Sequence, residues 1–295
     1  MKTARIIYNP TAGREVFEQQ LPQILERLER AGYIASAHRT TGIGDAIVAA
    51  KRACELEFDL VIAVGGDGTV NEVINGLLQH DTPPEFGIIP MGTVNDFTRA
   101  LGIPSDIFEA LDYIIEGEPF AIDLGLMDGK YFMNIGGGGK ITEVSYEAPS
   151  RLKAVIGSLA YYVKGIELIP QITSFPIRIE HDEGVYTGRV MIFLIGLTNS
   201  IGGFEQLVPD AELDDGYFSV LILEEVNLAE LAHVLTLAMR GDHLKHDKVK
   251  YFKSRELYVS SFEEVQLNLD GELGGVLPAH FKNLQQAIKV RIKKE

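Results

Sequence analysis

The chain has 295 residues, 46% of them hydrophobic, a net charge of -15 at neutral pH and one cysteine, Cys54. That length favours two domains over one, and the acidic balance argues against nucleic-acid binding and against strong general attraction to anionic membranes. The lone cysteine excludes an intramolecular disulfide framework and a cysteine-based zinc cluster, and with no signal-peptide core and no apolar run of about 18 residues a cytoplasmic protein is expected.

Ala4–Tyr8 reads as a short apolar strand, broken by Asn9-Pro10-Thr11-Ala12-Gly13. An amphipathic helix is expected over Glu15–Ala31, with Leu21, Ile24, Leu25 and Leu28 at helical spacing. Pro22 marks a kink or a later start, and Gly32 ends the helix. Tyr33–Arg39 reads as a second strand, Thr40–Asp45 as a polar turn and Ala46–Glu57 as a helix.

The organising stretch follows, DLVIAVGGDGTVNEVING over 59–76. An apolar run stops at Gly65-Gly66, Asp67 sits inside the turn, and Thr69 and Glu72 have the spacing of a capping box. A helix start of this kind favours an anion such as phosphate. The design repeats: Phe86–Met91 is a second apolar run, and Gly92-Thr93-Val94-Asn95-Asp96 again reads GTVN plus an acid. Two such corners predict a double anion cradle with two carboxylates at its lip. Capping alone explains Thr69 and Glu72, and Asp96 can itself cap. Asp67 gains little from packing at the end of a buried strand, where ligands bind in such sheets.

Ser105 is the expected cap of a helix running to about Glu116. Strands alternating with helices to this point predict a mainly parallel sheet. Beyond about Pro119 the rhythm changes. Strands are expected at Ala121–Met127, Lys130–Ile135, Phe175–His181, Val185–Thr198, Tyr217–Leu223, Val249–Val259 and Val265–Leu269. Helices are expected at Arg151–Ile169 and Leu228–Arg240, and Gly136–Gly139 as a flexible break. Mostly β segments joined by turns predict an antiparallel sandwich or barrel, with the domain boundary near Asp128–Asn134 and a ligand site between the domains.

No Walker-type phosphate loop is present: Gly136–Gly139 with Lys140 comes near, but Ile141 stands where the hydroxyl residue belongs. Glu212-Leu213-Asp214-Asp215-Gly216-Tyr217 reads either as an ordinary loop or as oxygen ligands for a hard cation. Asp270-Gly271-Glu272 on its own reads as a solvated turn. His243–Arg255 is the one basic concentration, either a strand edge guarded by lysines or a contact for anionic headgroups. Arg151–Val163 reads as a core helix or an interfacial one, and the seven histidines show no H-x-x-x-H pair, so no zinc is assigned.

GGDGTVNEV (65–73) and PMGTVNDFTRALGIP (90–104) together resemble the diacylglycerol kinase catalytic-domain family, above all its soluble bacterial lipid kinases. The likeness runs nearly end to end, through NPTAG (9–13), TTGIGDA (40–46), AIDLG around Asp123, PDAELDDGYFSV (209–220) and NLDGE (268–272). The resemblance implies an α/β nucleotide-binding domain with a mainly parallel sheet, residues 1–131 plus a returning 286–295. A β-rich antiparallel sandwich of residues 132–285 follows, with the active site in the cleft. It further implies magnesium-dependent transfer of the ATP γ-phosphoryl to a lipid hydroxyl, first of all diacylglycerol, giving phosphatidic acid.

By the same resemblance, Asn9, Pro10, Thr11, Ala12 and Gly13 line the ATP site with Thr40, Gly66, Asp67, Gly68, Thr69, Val70, Asn71, Glu72 and Thr93. Asp67, Asp96 and Asp123 hold or orient the catalytic magnesium through water. Glu272 is the base on the lipid hydroxyl, with Asp270 a near-equal candidate. A second, structural magnesium is expected at Asp215, with the backbones of Glu212 and Tyr217. Ala12 departs from the family, where serine is common. A membrane lipid as substrate implies transient peripheral contact with the inner face of the membrane. No nucleic-acid partner is expected, and a homodimer is the common default for soluble assemblies. The rivals are an NAD kinase, disfavoured by GTVNDF and by the lack of a Thr-Gly-Ser-Thr stretch, and a non-catalytic lipid or nucleotide sensor on a kinase scaffold.

Overall fold

The computed structural model describes residues 2–12, 16–139, 173–199, 207–208 and 210–293. The expected helix Arg151–Ile169, Gly13, Lys140 and Pro209 lie outside them. The chain forms two compact units, Met1–Ile122 with Gln286–Glu295, and Asp123–Gln285.

The first unit alternates strand and helix: β1 (Lys2–Tyr8), α1 (Val16–Arg30), β2 (Tyr33–Arg39), α2 (Asp45–Glu55), β3 (Leu60–Gly65), α3 (Asp67–Leu77), β4 (Glu85–Pro90), α4 (Asp96–Ala100) and α5 (Ile107–Glu116). The strands run parallel in the order β4-β3-β1-β2. Every residue of β3 is buried, as a strand covered on both faces must be. Full burial of side chains such as Ile62 and Ile88 contributes about 2 kcal/mol each. Glycine lets the helices come close. A Cβ on Gly76 of α3 would stand 2.4 Å from the Ile47 carbonyl of α2, and one on Gly87 of β4 would stand 3.0 Å from Ile114 of α5. Pro22 lies inside α1, which stays one helix with Phe17, Ile24 and Leu28 on its buried face.

The second unit is antiparallel and β-rich. It comprises β5 (Glu118–Met127, entering from the first unit), β6 (Lys130–Phe132), β7 (Ile135–Gly138), β8 (Phe175–His181), β9 (Gly184–Gly196) and β10 (Phe218–Glu224). After α6 (Leu228–Ala238) come β11 (Val249–Ser254), β12 (Glu256–Ser260), β13 (Gln266–Leu269), β14 (Glu272–Val276) and β15 (Ala279–Ile292). The order is β14-β13-β7-β9-β8-β12-β15, with β10 beside β9 and β11 beside β10. Phe132 stacks on Phe218 and meets Phe281 edge-on at the centre of one core, and Leu231 and Val234 of α6 pack with Leu221, Leu223 and Val249 in another. The last residues of β15 return to the first unit, where Val290 pairs parallel to Phe86 and Arg291 meets Glu85 at 2.7 Å. No helix of the described residues is long and apolar enough to cross a membrane.

Several local expectations are corrected. Helix α3 starts at Asp67 with Gly66 as an extended N-cap, so the Thr69–Glu72 spacing falls inside the helix and forms no capping box. The turn comes early because Gly66 is packed against Gly92, and Thr69 instead lays its side chain over Gly65. Asp106, not Ser105, caps α5, its carboxylate accepting the Phe108 and Glu109 N–H groups. Gly136–Gly138 form a buried strand rather than a flexible break. Glycine is required there because a Cβ at Gly137 would lie 2.4 Å from the Phe193 carbonyl. The run Val249–Val259 is two strands. It breaks where the Asp182 carboxylate takes the Arg255 N–H and Ser254 Oγ donates to the Glu256 carbonyl, and the second half changes neighbours. Strand β14 went unread because its Gly274-Gly275 pair dilutes the β signal.

Candidate active site

In the first unit the carboxyl ends of the parallel strands are stitched together. Thr40 N–H donates to the Tyr8 carbonyl, Asn9 N–H to Val64 and Met91 N–H to Gly65. This brings Asn9–Ala12, Thr40, the Gly66–Glu72 corner and the Gly92–Asp96 corner to one rim, where ligands bind in open α/β sheets. Each loop is shaped by its own side chains. Asn9 Oδ1 accepts the Thr11 N–H and hydroxyl at 3.0 and 2.8 Å. Asp45 Oδ2 accepts the Thr41 N–H and hydroxyl at 2.7 and 2.8 Å, which holds its carboxyl below the usual carboxylate range. Glu72 Oε1 accepts Gly44 N–H at 3.0 Å and so joins α3 to the loop after β2.

The two glycine corners form one structure. A Cβ on Gly92 would stand 2.7 Å from the Gly66 Cα and 2.5 Å from Asn95 Oδ1, so this contact demands glycine at 92, and one on Gly66 would stand a tight 3.2 Å from the Gly92 Cα. Asn95 adopts a left-handed conformation (φ 51°), and its carboxamide closes the second loop on Gly92 N–H and C=O at 3.0 and 2.9 Å. The Asp67 carboxylate accepts the backbone N–H groups of Asn95 and Phe97. The expected double anion cradle is therefore corrected: the carboxylate of one corner fills the helix start of the other. Burial first, and then the charge of Asp96 beside it, raise the Asp67 pKa above its ordinary value. Asp96 is itself buried, with Arg99 at 3.2 Å on its outer side. Thr93 is exposed on the loop between the corners.

Asp67 and Asp96 thus place two adjoining carboxylates in a poorly solvated place, with Arg99 beside Asp96. Hard oxygen donors of this kind fit a divalent cation, above all one such as Mg²⁺ that keeps waters and phosphate oxygens in its shell. Among the described residues no three His, Cys, Asp or Glu side chains gather round one point.

Asp123 belongs to the second unit and is 3% exposed. Its N–H donates to the Leu213 carbonyl at 2.7 Å and its carboxylate accepts Gly216 N–H at 2.6 Å, clamping the 212–217 loop. In that loop Asp215 accepts Tyr217 N–H at 2.9 Å and pairs with Lys253 at 2.7 Å. An ammonium group already neutralises the carboxylate expected to bind a structural ion, so a dication there would have to displace Lys253. The other lysines of the basic stretch also face carboxylates: Lys245 meets Asp242 at 2.6 Å, and Lys248 and Lys250 lie 3.7 and 3.9 Å from Glu224.

Asp270 and Gly271 have φ of 51° and 92° and form the two-residue turn between β13 and β14. Glu272 follows as the first residue of β14 and is exposed. Residues that sequence reasoning missed are Asn95, Asp45, Lys253 and Lys130. Of these only Asn95 carried a signal, because asparagine tolerates the left-handed turn. The others act through partners 4 to 144 positions away.

The family model described as "Diacylglycerol kinase catalytic domain" matches residues 3–127, and that for the "YegS C-terminal NAD kinase beta sandwich-like domain" matches residues 142–292. A diacylglycerol kinase of Staphylococcus epidermidis is 55% identical over 294 residues, covering 100% of this chain and 93% of the relative. One from Staphylococcus carnosus is 53% identical, covering 100% and 96%. A crystal structure described as a diacylglycerol kinase from Bacillus anthracis is 27% identical with a TM-score of 0.84, covering 99% of this chain and 97% of that one. Another structure from that organism is 28% identical with a TM-score of 0.88, covering 99% and 95%. With the paired carboxylates at the joined glycine corners, these likenesses establish that the chain belongs to the diacylglycerol kinase catalytic-domain family and is a kinase.

Proposed function

We propose that this lipid kinase transfers the γ-phosphoryl of ATP to the free hydroxyl of diacylglycerol, giving phosphatidic acid, and that Mg²⁺ is its metal. The observation that carries the reading is the Asp67–Asp96 pair, held side by side by the Gly66–Gly92 contact. Bound there, magnesium would neutralise the phosphate charge that builds as the phosphoryl group moves.

In this reading Asn9, Pro10, Thr11, Ala12 and Gly13, Thr40, the 66–72 corner and Thr93 seat the nucleotide. Asp45 acts one step back, by holding the Thr41–Gly44 loop in shape, and Glu72 ties that loop to the nucleotide corner. Asp123 would orient water on that metal. Glu272 takes the proton from the lipid hydroxyl as its oxygen bonds to the γ-phosphorus and the bond to ADP breaks. Its exposure, against the committed oxygens of Asp270, supports Glu272 as the base. A second, structural ion at Glu212, Asp215 and Tyr217 belongs to the reading only with Lys253 turned away. The substrate brings transient contact with the inner membrane face, and a homodimer is the assembly to test first.

Purified protein with ATP, Mg²⁺ and diacylglycerol vesicles should form phosphatidic acid. No phosphorylated product from any hydroxyl lipid would sink the proposal, and phosphorylated NAD in a parallel incubation would replace it.

A further inference from the structure

Both carboxylate oxygens of Asp270 are held by backbone donors. One of its oxygens accepts Met133 N–H at 2.8 Å, and the other accepts Asn134 and Ile135 N–H, both at 2.9 Å. Its own N–H donates back to the Ile135 carbonyl at 2.9 Å. The residue adopts φ 51°, the left-handed conformation that aspartate tolerates better than most residues. In that turn the carboxylate clasps three successive backbone donors across the sheet. Glu272 lies two residues on. Its strand is pinned from the far side as well, because Lys130 Nζ donates to the Gly274 carbonyl at 2.6 Å. Asn268 Oδ1 takes the remaining turn N–H, that of Gly271, at 2.8 Å. These anchors stand on both sides of Glu272 in the hairpin.

We infer that Asp270 is a positioning residue that fixes Glu272 by locking the 270–271 turn onto the 133–135 backbone, and that it does not itself take the substrate proton. A base needs an oxygen open to the hydroxyl it deprotonates, and the oxygens of Asp270 face three amides. This inference rests on the proposed role of Glu272.

The test uses the full chain with Asp270→Asn, Glu272→Gln and the double variant. In Asp270→Asn one oxygen can still accept Asn134 and Ile135, but the new NH₂ faces the Met133 donor. Amide exchange at 133–135 should quicken at least tenfold. Lipid phosphorylation should lose about 10- to 100-fold in kcat, the scale of a base displaced by about an ångström, with the KM for ATP within about twofold because Asp270 is not among the residues proposed to seat the nucleotide. Because Asp270 acts through Glu272, the double variant should be no slower than Glu272→Gln alone. Asp270→Asn as inactive as Glu272→Gln with amide exchange unchanged would make Asp270 the base and overturn the inference. Wild-type kinetics in Asp270→Asn, or a full additive loss in the double variant, would overturn it too. If the wild type phosphorylates no lipid, the proposed function fails by itself. Amide exchange then decides the clasp, and unchanged exchange in Asp270→Asn rejects it.

Discussion

Of the four Asp-Gly pairs in the chain, Asp67-Gly68 and Asp270-Gly271 do opposite things. Both carboxylates accept backbone N–H groups from a neighbouring segment. Asp270 takes three, sits in a left-handed turn and completes its surroundings. Asp67 opens a helix and has a second buried acid beside it, so its charge is left over. The surplus suits a cation, and its absence suits a clasp. An Asp-Gly pair is thus read by what stands opposite its carboxylate, not by the dipeptide.

The sharpest way to break this contrast is Asp67→Asn. We expect kcat for lipid phosphorylation to fall by about 10³-fold, as when one preorganised charge at a reacting phosphate is removed, with the circular dichroism of a folded protein. An active Asp67→Asn enzyme would place the metal elsewhere. Gly92→Ala comes next. The added methyl meets backbone at 2.7 Å, so the corners must part. We expect a loss of about 1–3 kcal/mol in chemical denaturation and a KM for ATP raised several-fold in steady-state kinetics.

A subtler test uses pH. The folded chain holds the Asp67 proton to a higher pH than the unfolded chain, whose carboxyl titrates near the ordinary 3.8. The wild type thus has this contribution in full below that value and loses it as pH rises through the raised folded pKa. Relative to wild type, Asp67→Asn should therefore be more stable at pH 7 than at pH 4, in metal-free denaturant titrations. The same difference at both pH values would remove the charge surplus from the account. The smallest effect is expected for Lys253→Met, which leaves Asp215 without its ammonium. Stability should fall by about 1 kcal/mol, since the pair is partly exposed. Magnesium without nucleotide should restore it more in the variant than it stabilises the wild type, because only there is Asp215 open to a dication.

Sequence alone was sufficient for much of the first unit. Apolar runs ending in glycine place β3 and β4, and the repeated GTVN plus acid marks Asp67 and Asp96. Strands such as Tyr33–Arg39 and Phe175–His181 were legible to the residue because one periodicity dominates each of them. Glycines were less legible, since the sequence does not say whether a glycine frees the backbone or makes room. Gly136–Gly138 make room, for Phe193 and Leu269.

What the sequence by itself determined is the order of elements, the acidic residues worth testing and the likeness that names the family, because these depend on local period and composition. Only the tertiary structure decided that Asp67 caps the other corner, that Asp123 clamps the 213–216 loop, that Lys253 neutralises Asp215 and that Asp270 clasps residues 133–135. Each is a pairing of charge or hydrogen bond between segments 28 to 137 positions apart. Such pairings leave no periodic trace in a sequence, because the energy of a buried carboxylate is set by whatever the fold brings against it.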